Sequence, residues 1–240
     1  MTLAPSISRR RQALLDRIHR RFETVTEDIG IGKLSIRFTR AADPNRVLDD
    51  IVAEEDRREK LTGIRQDDPQ HLPYWAELWD SARGIAAALA KMNLTPETEV
   101  LDLGCGMGLC GAAAAALGAR VILADLESPA VLFARLNCLP FGSRASARQL
   151  NWQIDRLPRR FDLILGADIL YERPQWNFLN EFFKSHLAEN GTILLGEPNR
   201  PSGDSFIPWI KQYDWQLEES AEMPPPTQKR IRVLKLTRPN

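Results

Sequence analysis

Asp102-Leu103-Gly104-Cys105-Gly106-Met107-Gly108 is the stretch on which the fold turns. The apolar residues 100–103 read as a short buried strand, and the alanine-rich residues 109–117 as a helix stopped by Gly118. A strand, a glycine turn and a helix in that order present backbone N–H groups to a ligand, and the missing Cβ atoms let it approach the chain. A second register competes: Gly106-Met107-Gly108-Leu109-Cys110-Gly111 fits G-x-G-x-x-G, the dinucleotide fingerprint.

Two features separate the registers. Asp102 ends the strand beside the turn, where a carboxylate repels a pyrophosphate but accepts from a cationic amino acid. The glycine series also begins at Gly104, directly off the strand, whereas the dinucleotide register starts two residues late. S-adenosylmethionine, with an ammonium, a sulfonium and no phosphate, meets the first condition, and it leaves as S-adenosylhomocysteine. Asp102, Gly104, Gly106 and Gly108 are its first candidate contacts. About 20 residues on, Asp125 ends the next strand, where a carboxylate can bind both ribose hydroxyls. Leu126 or Glu127 would then edge the adenine, and Asn151-Trp152 at the end of the third strand offers it an amide and an aromatic plane. The bland alternatives are a helix N-cap for Asp125 and a core aromatic for Trp152.

Working outward, residues 121–124, 145–150, 161–165 and 192–195 read as further strands. Helices over 129–137, 175–188 and 206–212 lie between or after them. Near-continuous apolar strands alternating with helices imply a mostly parallel sheet covered on both faces, an α/β Rossmann-like architecture. Residues 215–221 and 231–236 break the rhythm. Joined across Pro224-Pro225-Pro226 without a helix, they read as an antiparallel hairpin that brings the sheet to seven strands. A helix is expected to carry Trp75, Leu78 and Trp79 on one face and to end near Asn93. Upstream, residues 7–21 spell an arginine-rich amphipathic helix, and 22–26 with 34–38 a β-hairpin. A helix follows Asp43-Pro44 through Val52, and residues 57–71 read as a polar loop. Residues 1–73 are therefore read as an N-terminal cap on a domain spanning 74–240.

Composition excludes several classes. Lys plus Arg (32) equals Asp plus Glu (32), so no net charge draws the chain to nucleic acid or anionic lipid. The arginines at 9, 10, 11, 17, 20 and 21 read as a solvated helix face. No run of about 18 apolar residues indicates a membrane span. No apolar leader suggests secretion, and three cysteines without CxxC spacing fit a reduced, cytoplasmic protein. His19, His71 and His186 are read as surface residues, and no metal is expected. Nothing in the sequence sets an oligomeric state.

Three further stretches narrow the picture: Leu72-Pro73-Tyr74-Trp75-Ala76-Glu77-Leu78-Trp79, Ala167-Asp168-Ile169-Leu170-Tyr171 and Leu195-Gly196-Glu197-Pro198-Asn199-Arg200. With the glycine turn they resemble the class I, seven-β-strand methyltransferases. Within these they are similar to the family 16 protein-lysine methyltransferases, including the electron-transfer flavoprotein β-subunit lysine methyltransferase group. Asp168-x-x-Tyr171 matches that family's motif after the fourth strand. Gly196-Glu197-Pro198-Asn199-Arg200 departs from the Gly-Asp-Pro-Gly-Arg of the flavoprotein-directed members.

The resemblance implies methyl transfer to lysine side chains of a protein substrate. Asp168 or Glu197 would orient the acceptor amine, Tyr171 and Trp79 would wall its channel, and Ala167 and Trp79 would border the cofactor. A small-molecule or RNA methyltransferase on the same fold is the rival, although the Asn-Pro-Pro-Tyr type of motif for planar amino groups is absent. An NAD(P)-binding oxidoreductase and a non-catalytic cofactor-binding scaffold stand further off.

Overall fold

The computed structural model describes residues 5–63 and 72–239. Seven strands form the main sheet: β3 (Glu99–Leu103), β4 (Arg120–Asp125), β5 (Ala145–Gln149), β6 (Phe161–Ala167), β7 (Leu187–Glu197), β8 (Gln216–Glu222) and β9 (Ile231–Thr237). Their order is β5-β4-β3-β6-β7-β9-β8, parallel from β5 to β7 and antiparallel at β9 and β8. The chain runs from β3 outward to β5, then returns to place β6 on the other side of β3. That reversal opens a crevice beyond the carboxyl ends of β3 and β6, where open α/β sheets bind ligands. The glycine turn after β3 and the Asp168 turn after β6 both lie there.

Helices cover both faces because the central strands are apolar on both: Val100, Leu101 and Leu103 of β3 are all fully buried. One face packs α3 (Asp80–Leu89), α4 (Leu109–Ala116) and α5 (Ser128–Cys138) through Ile85, Leu89 and Phe133. The other packs α6 (Trp176–His186) and α7 (Pro201–Ile210) through Trp176, Phe182 and Phe206.

The N-terminal part comprises α1 (Pro5–Ile18), the hairpin β1 (Thr24–Ile31) with β2 (Leu34–Ala41), and α2 (Pro44–Thr62). Ile18, Ile31 and Phe38 are buried in the same cluster as Val100 and Phe133, so this part shares its core with one face of the sheet. Asn137 of α5 fastens the two. Its Oδ1 accepts the Thr39 N–H at 2.8 Å, and its Nδ2 donates to Thr39 O (2.9 Å) and to Met107 O (2.8 Å) in the glycine turn.

Several sequence expectations change here. The helix α2, capped by Asp43 and closed by left-handed Gly63, continues through residues 57–62. Arginine, glutamate, lysine and leucine favour helix, so that polar run is a solvated helix end and not a loop. The rest of the expected loop, with His71, lies outside the described residues. Trp75 and Trp79 do not share a helix face. Trp75 sits in a 3-10 turn (Tyr74–Ala76), the backbone is extended at Glu77 and Trp79, and α3 begins only at Asp80. The Trp79 indole N–H folds back to Tyr74 O at 2.9 Å, while Trp75 packs between Phe22 and Phe133 at 5.3 and 5.7 Å.

At the far side of the sheet, α6 ends at His186 and β7 begins at Leu187, so the helix expected to reach residue 188 is shorter. His186 is buried, not at the surface. Its Nε2 accepts the Leu157 N–H at 2.9 Å, its ring stacks on Phe182, and burial lowers its pKa.

Candidate active site

The glycine turn is built by conformation and by two buried carboxylates. Gly104, Gly106 and Gly108 all have positive φ, at 63°, 52° and 90°. A Cβ on Gly108 would also stand 2.8 Å from Leu123 Cδ2 and 3.1 Å from the Ala134 backbone, so only glycine lets α4 start this close to α5. Asp125, at the end of β4, accepts from Gly106 N–H at 2.7 Å and from Glu127 N–H at 2.9 Å. Asp102 accepts from Gly111 N–H at 2.7 Å.

Burial raises Asp102 to about 7 and Asp125 to about 6, against the pull of these N–H donors. A cation placed here would relieve that cost, whereas a pyrophosphate would add to it. The alternative of Asp125 as a helix cap is set aside, since Glu127 precedes α5.

A cavity of about 250 Å³ opens over the turn, lined by Trp79, Gly104, Asp125, Trp152, Asp168 and Tyr171 among others. Leu126, Asn151 and Ala167 border it too. The Trp152 indole is partly buried, and its N–H donates at 3.1 Å to Oε1 of Gln175, which also accepts from Gln153 at 2.9 Å. The plane is thereby fixed. The Asn151 side-chain oxygen accepts the Gln153 N–H at 2.9 Å, which closes the local turn.

The other end of the cavity belongs to the segments after β6 and β7. Asp168 takes a left-handed φ of 57°, which aspartate tolerates better than most residues, and its N–H reaches Gly196 O at 2.8 Å. Its buried carboxylate meets Arg200 at 3.1 Å and the Ser81 hydroxyl at 3.4 Å. Burial raises Asp168 to about 6, with Arg200 pulling it down and Glu197 pushing it up. No helix starts on it, since Glu172 and Gln175 precede the next turns. Arg200 also lies over the Trp79 ring, 5.2 Å from its centroid. Tyr171 and Tyr74 meet edge to face at 5.5 Å at the cavity's mouth, both about two-fifths exposed.

Of the residues singled out in the sequence, Glu197 is the one that the structure keeps out of the cavity. Its carboxylate is buried, bound by Arg232 and by the Arg200 N–H at 2.9 Å. It acts as a brace under α7 and does not face an acceptor. Arg200 and Gln175 line the cavity but escaped the sequence reading. The stretch Leu195 to Arg200 carries part of the family resemblance, from which Glu197 is taken as the candidate, and only the fold shows that its arginine turns inward. Among the described residues, no group of three or more His, Cys, Asp or Glu could hold a metal ion.

A family model described as lysine methyltransferase matches residues 65–213. EEF1A lysine methyltransferase 3 of Mus musculus is 32% identical over 145 residues, covering 57% of this chain and 61% of the relative. Electron transfer flavoprotein beta subunit lysine methyltransferase of the same species is 32% identical over 165 residues, 67% of this chain and 63% of the relative. The chain thus spans about three fifths of the length of these two relatives. A TehB-like SAM-dependent methyltransferase from Corynebacterium glutamicum shares the fold, with a TM-score of 0.52 at 19% identity over 82% of this chain and all of that one.

Proposed function

This chain belongs to the lysine methyltransferase family, and we propose that it transfers methyl groups from S-adenosylmethionine to lysine side chains of a protein. One observation carries the proposal. The glycine turn with its two buried carboxylates and the Asp168–Tyr171 segment face each other across a single cavity.

Bound there, S-adenosylmethionine supplies an electrophilic methyl carried on a sulfonium. Asp125 would take the ribose hydroxyls, and Leu126, Asn151 and Trp152 would border the adenine. Asp102 would face the ammonium. A carboxylate has about four acceptor sites, so the bonds already made to backbone N–H groups leave room for a ligand. Trp79 and Ala167, which also line the cavity, would lie toward the sulfonium.

The acceptor must arrive as a neutral amine, although an unperturbed lysine has a pKa of about 10.4. Enclosure by Tyr171, Tyr74 and Trp79 strips water from the amine and lowers that value. Asp168, ionised at neutral pH, accepts an amine N–H and aims the lone pair along the line of transfer, where orientation supplies much of the rate. No described residue before Leu72 lines the cavity. Through Asn137 the described part of the cap braces the turn. The unpaired state of Cys105, Cys110 and Cys138 supports a cytoplasmic setting.

The test is Asp168→Ala, assayed with tritium-labelled S-adenosylmethionine on the proteins of a cell extract. Loss of transfer by at least a hundredfold with unchanged cofactor affinity is expected. Full turnover in this variant would remove Asp168 from the mechanism.

A further inference from the structure

We propose that Arg200 is a positioning residue for the methyl acceptor: clamped between the Asp168 carboxylate and the Trp79 indole, it keeps that carboxylate ionised and aimed into the cavity. This rests on the role given to Asp168 above.

The clamp has three sides. The guanidinium meets Asp168 Oδ2 at 3.1 Å, and its Cζ lies over the Trp79 ring, 5.2 Å from the centroid. The backbone N–H of Arg200 is held by Glu197 Oε2 at 2.9 Å. Glu197 is in turn held by Arg232, which reaches on to Asp204 at 2.7 Å. A Cβ on Gly203 would collide with the Glu197 carboxylate, so the first turn of α7 has to be bare for this brace to fit. A planar guanidinium suits this double role, because one edge can pair with a carboxylate while its face rests on an aromatic ring.

The electrostatic surroundings of Asp168 leave the task to Arg200. Ser81 contributes a neutral hydroxyl, and Glu197 adds negative charge that opposes ionisation. Tyr171 is a neutral phenol whose ionisation burial disfavours. Asp80, beside Ser81, is engaged by Lys229 at 2.8 Å and Thr227 at 3.1 Å. Of these groups Arg200 is the cation in direct contact with Asp168. Without it, a carboxylate this buried would hold its proton further into the neutral range and could not serve the amine fully as an acceptor.

The direct test is a ¹³C NMR titration of the Asp168 side-chain carboxyl in the full chain, with D168N identifying the resonance. In R200Q the midpoint is expected to rise by about one unit. R200K, which retains the charge, should return most of the way. W79L, which removes the stacking face and leaves the charge, should raise it by less. A midpoint that is unmoved or lower in R200Q overturns the proposal.

Turnover provides a second readout, with tritium-labelled S-adenosylmethionine and the proteins of a cell extract as acceptor. The ratio of R200Q to parent activity is expected to climb as the pH rises from 6.5 to 9, since titration of the acceptor lysine cancels in the ratio. A ratio flat with pH, or a lower KM for the extract proteins in R200Q, contradicts a positioning role. D168N separates the two claims: if it turns over like the parent, the reading of Asp168 itself fails. If D168N is inactive and the R200Q ratio is flat, only the inference about Arg200 falls. Unchanged binding of S-adenosylhomocysteine by R200Q excludes a collapsed site as the cause.

Discussion

The Asp125 carboxylate accepts the backbone N–H of Gly106 at 2.7 Å, so the residue assigned to the cofactor ribose also holds the cofactor turn in shape. Its second oxygen takes the Glu127 N–H at 2.9 Å. Asp125→Ala is therefore expected to weaken S-adenosylmethionine binding by more than the loss of one ligand contact. A buried hydrogen bond to a charged group is worth about 1.5–3 kcal/mol, so a drop of at least about tenfold should appear in calorimetry. Affinity within twofold of the parent would separate Asp125 from the cofactor.

Asp102 and Asp125 give the protein two opposed pH dependences. Burial raises both pKa values above that of the unfolded chain, to about 7 and about 6. From about pH 4 to 7 the folded chain then holds protons that the unfolded chain has released, so the stability of the cofactor-free protein falls as pH rises through that window. Asp102→Asn removes part of that penalty. Its melting temperature at pH 8 should exceed the parent's by about 3 °C or more, with the difference shrinking toward pH 4. Cofactor affinity has the other sign: a cationic ligand favours the ionised carboxylates, so calorimetry should show tighter binding at pH 7.5 than at pH 5.5. Affinity that does not change with pH would sink this picture of the turn.

Asn137 should report on the cap. Asn137→Leu leaves Thr39 N–H, Thr39 O and Met107 O without their partner in buried surroundings. Each such group costs about 1–3 kcal/mol, so urea unfolding should show a loss of about 3 kcal/mol or more. Because Met107 lies within the glycine turn, cofactor affinity should fall with it. A stability loss with unaltered affinity would mean that the cap braces only itself.

The glycines of the turn should fail in different ways. Gly108→Ala drives a Cβ against Leu123 and the Ala134 backbone and is expected to destabilise the fold. Around Gly106 the nearest atom to an added Cβ is Trp75 O at 3.5 Å, so Gly106→Ala meets only its strained φ of 52°. That strain costs about 1–2 kcal/mol, and the variant should fold yet bind cofactor weakly, because Gly106 lines the cavity. Thermal melts alongside calorimetry distinguish the two. Equal loss of stability in both variants would contradict the assignment.

The strands and their mostly parallel pairing were legible because apolar runs of the right length alternate with helices, whereas the order of the strands in the sheet came only with the fold. Asp102, Asp125 and Asn151 were singled out as strand-end residues for that reason, while Asp168 came from the family motif. What sequence could not convey was direction within short segments. Trp75 and Trp79 are spaced as on a helix, yet the extended backbone at Glu77 and Trp79 sends one into the core and the other to the cavity. Glu197 and Arg200 are three residues apart, and only the position of Arg232 on the neighbouring strand decides which of them faces inward. Asn137 and Thr39 meet across 98 residues of sequence, a separation at which no local pattern operates.

The central claim is lysine methylation of protein, and the acceptor atom tests it most directly. The full chain is incubated with tritium-labelled S-adenosylmethionine and the proteins of a cell extract, and the labelled protein is hydrolysed and its amino acids separated. The label is expected to coelute with methylated lysine in the parent and to be absent with D168N. Label in methylated arginine or glutamine, or confined to small molecules or RNA, would contradict the account.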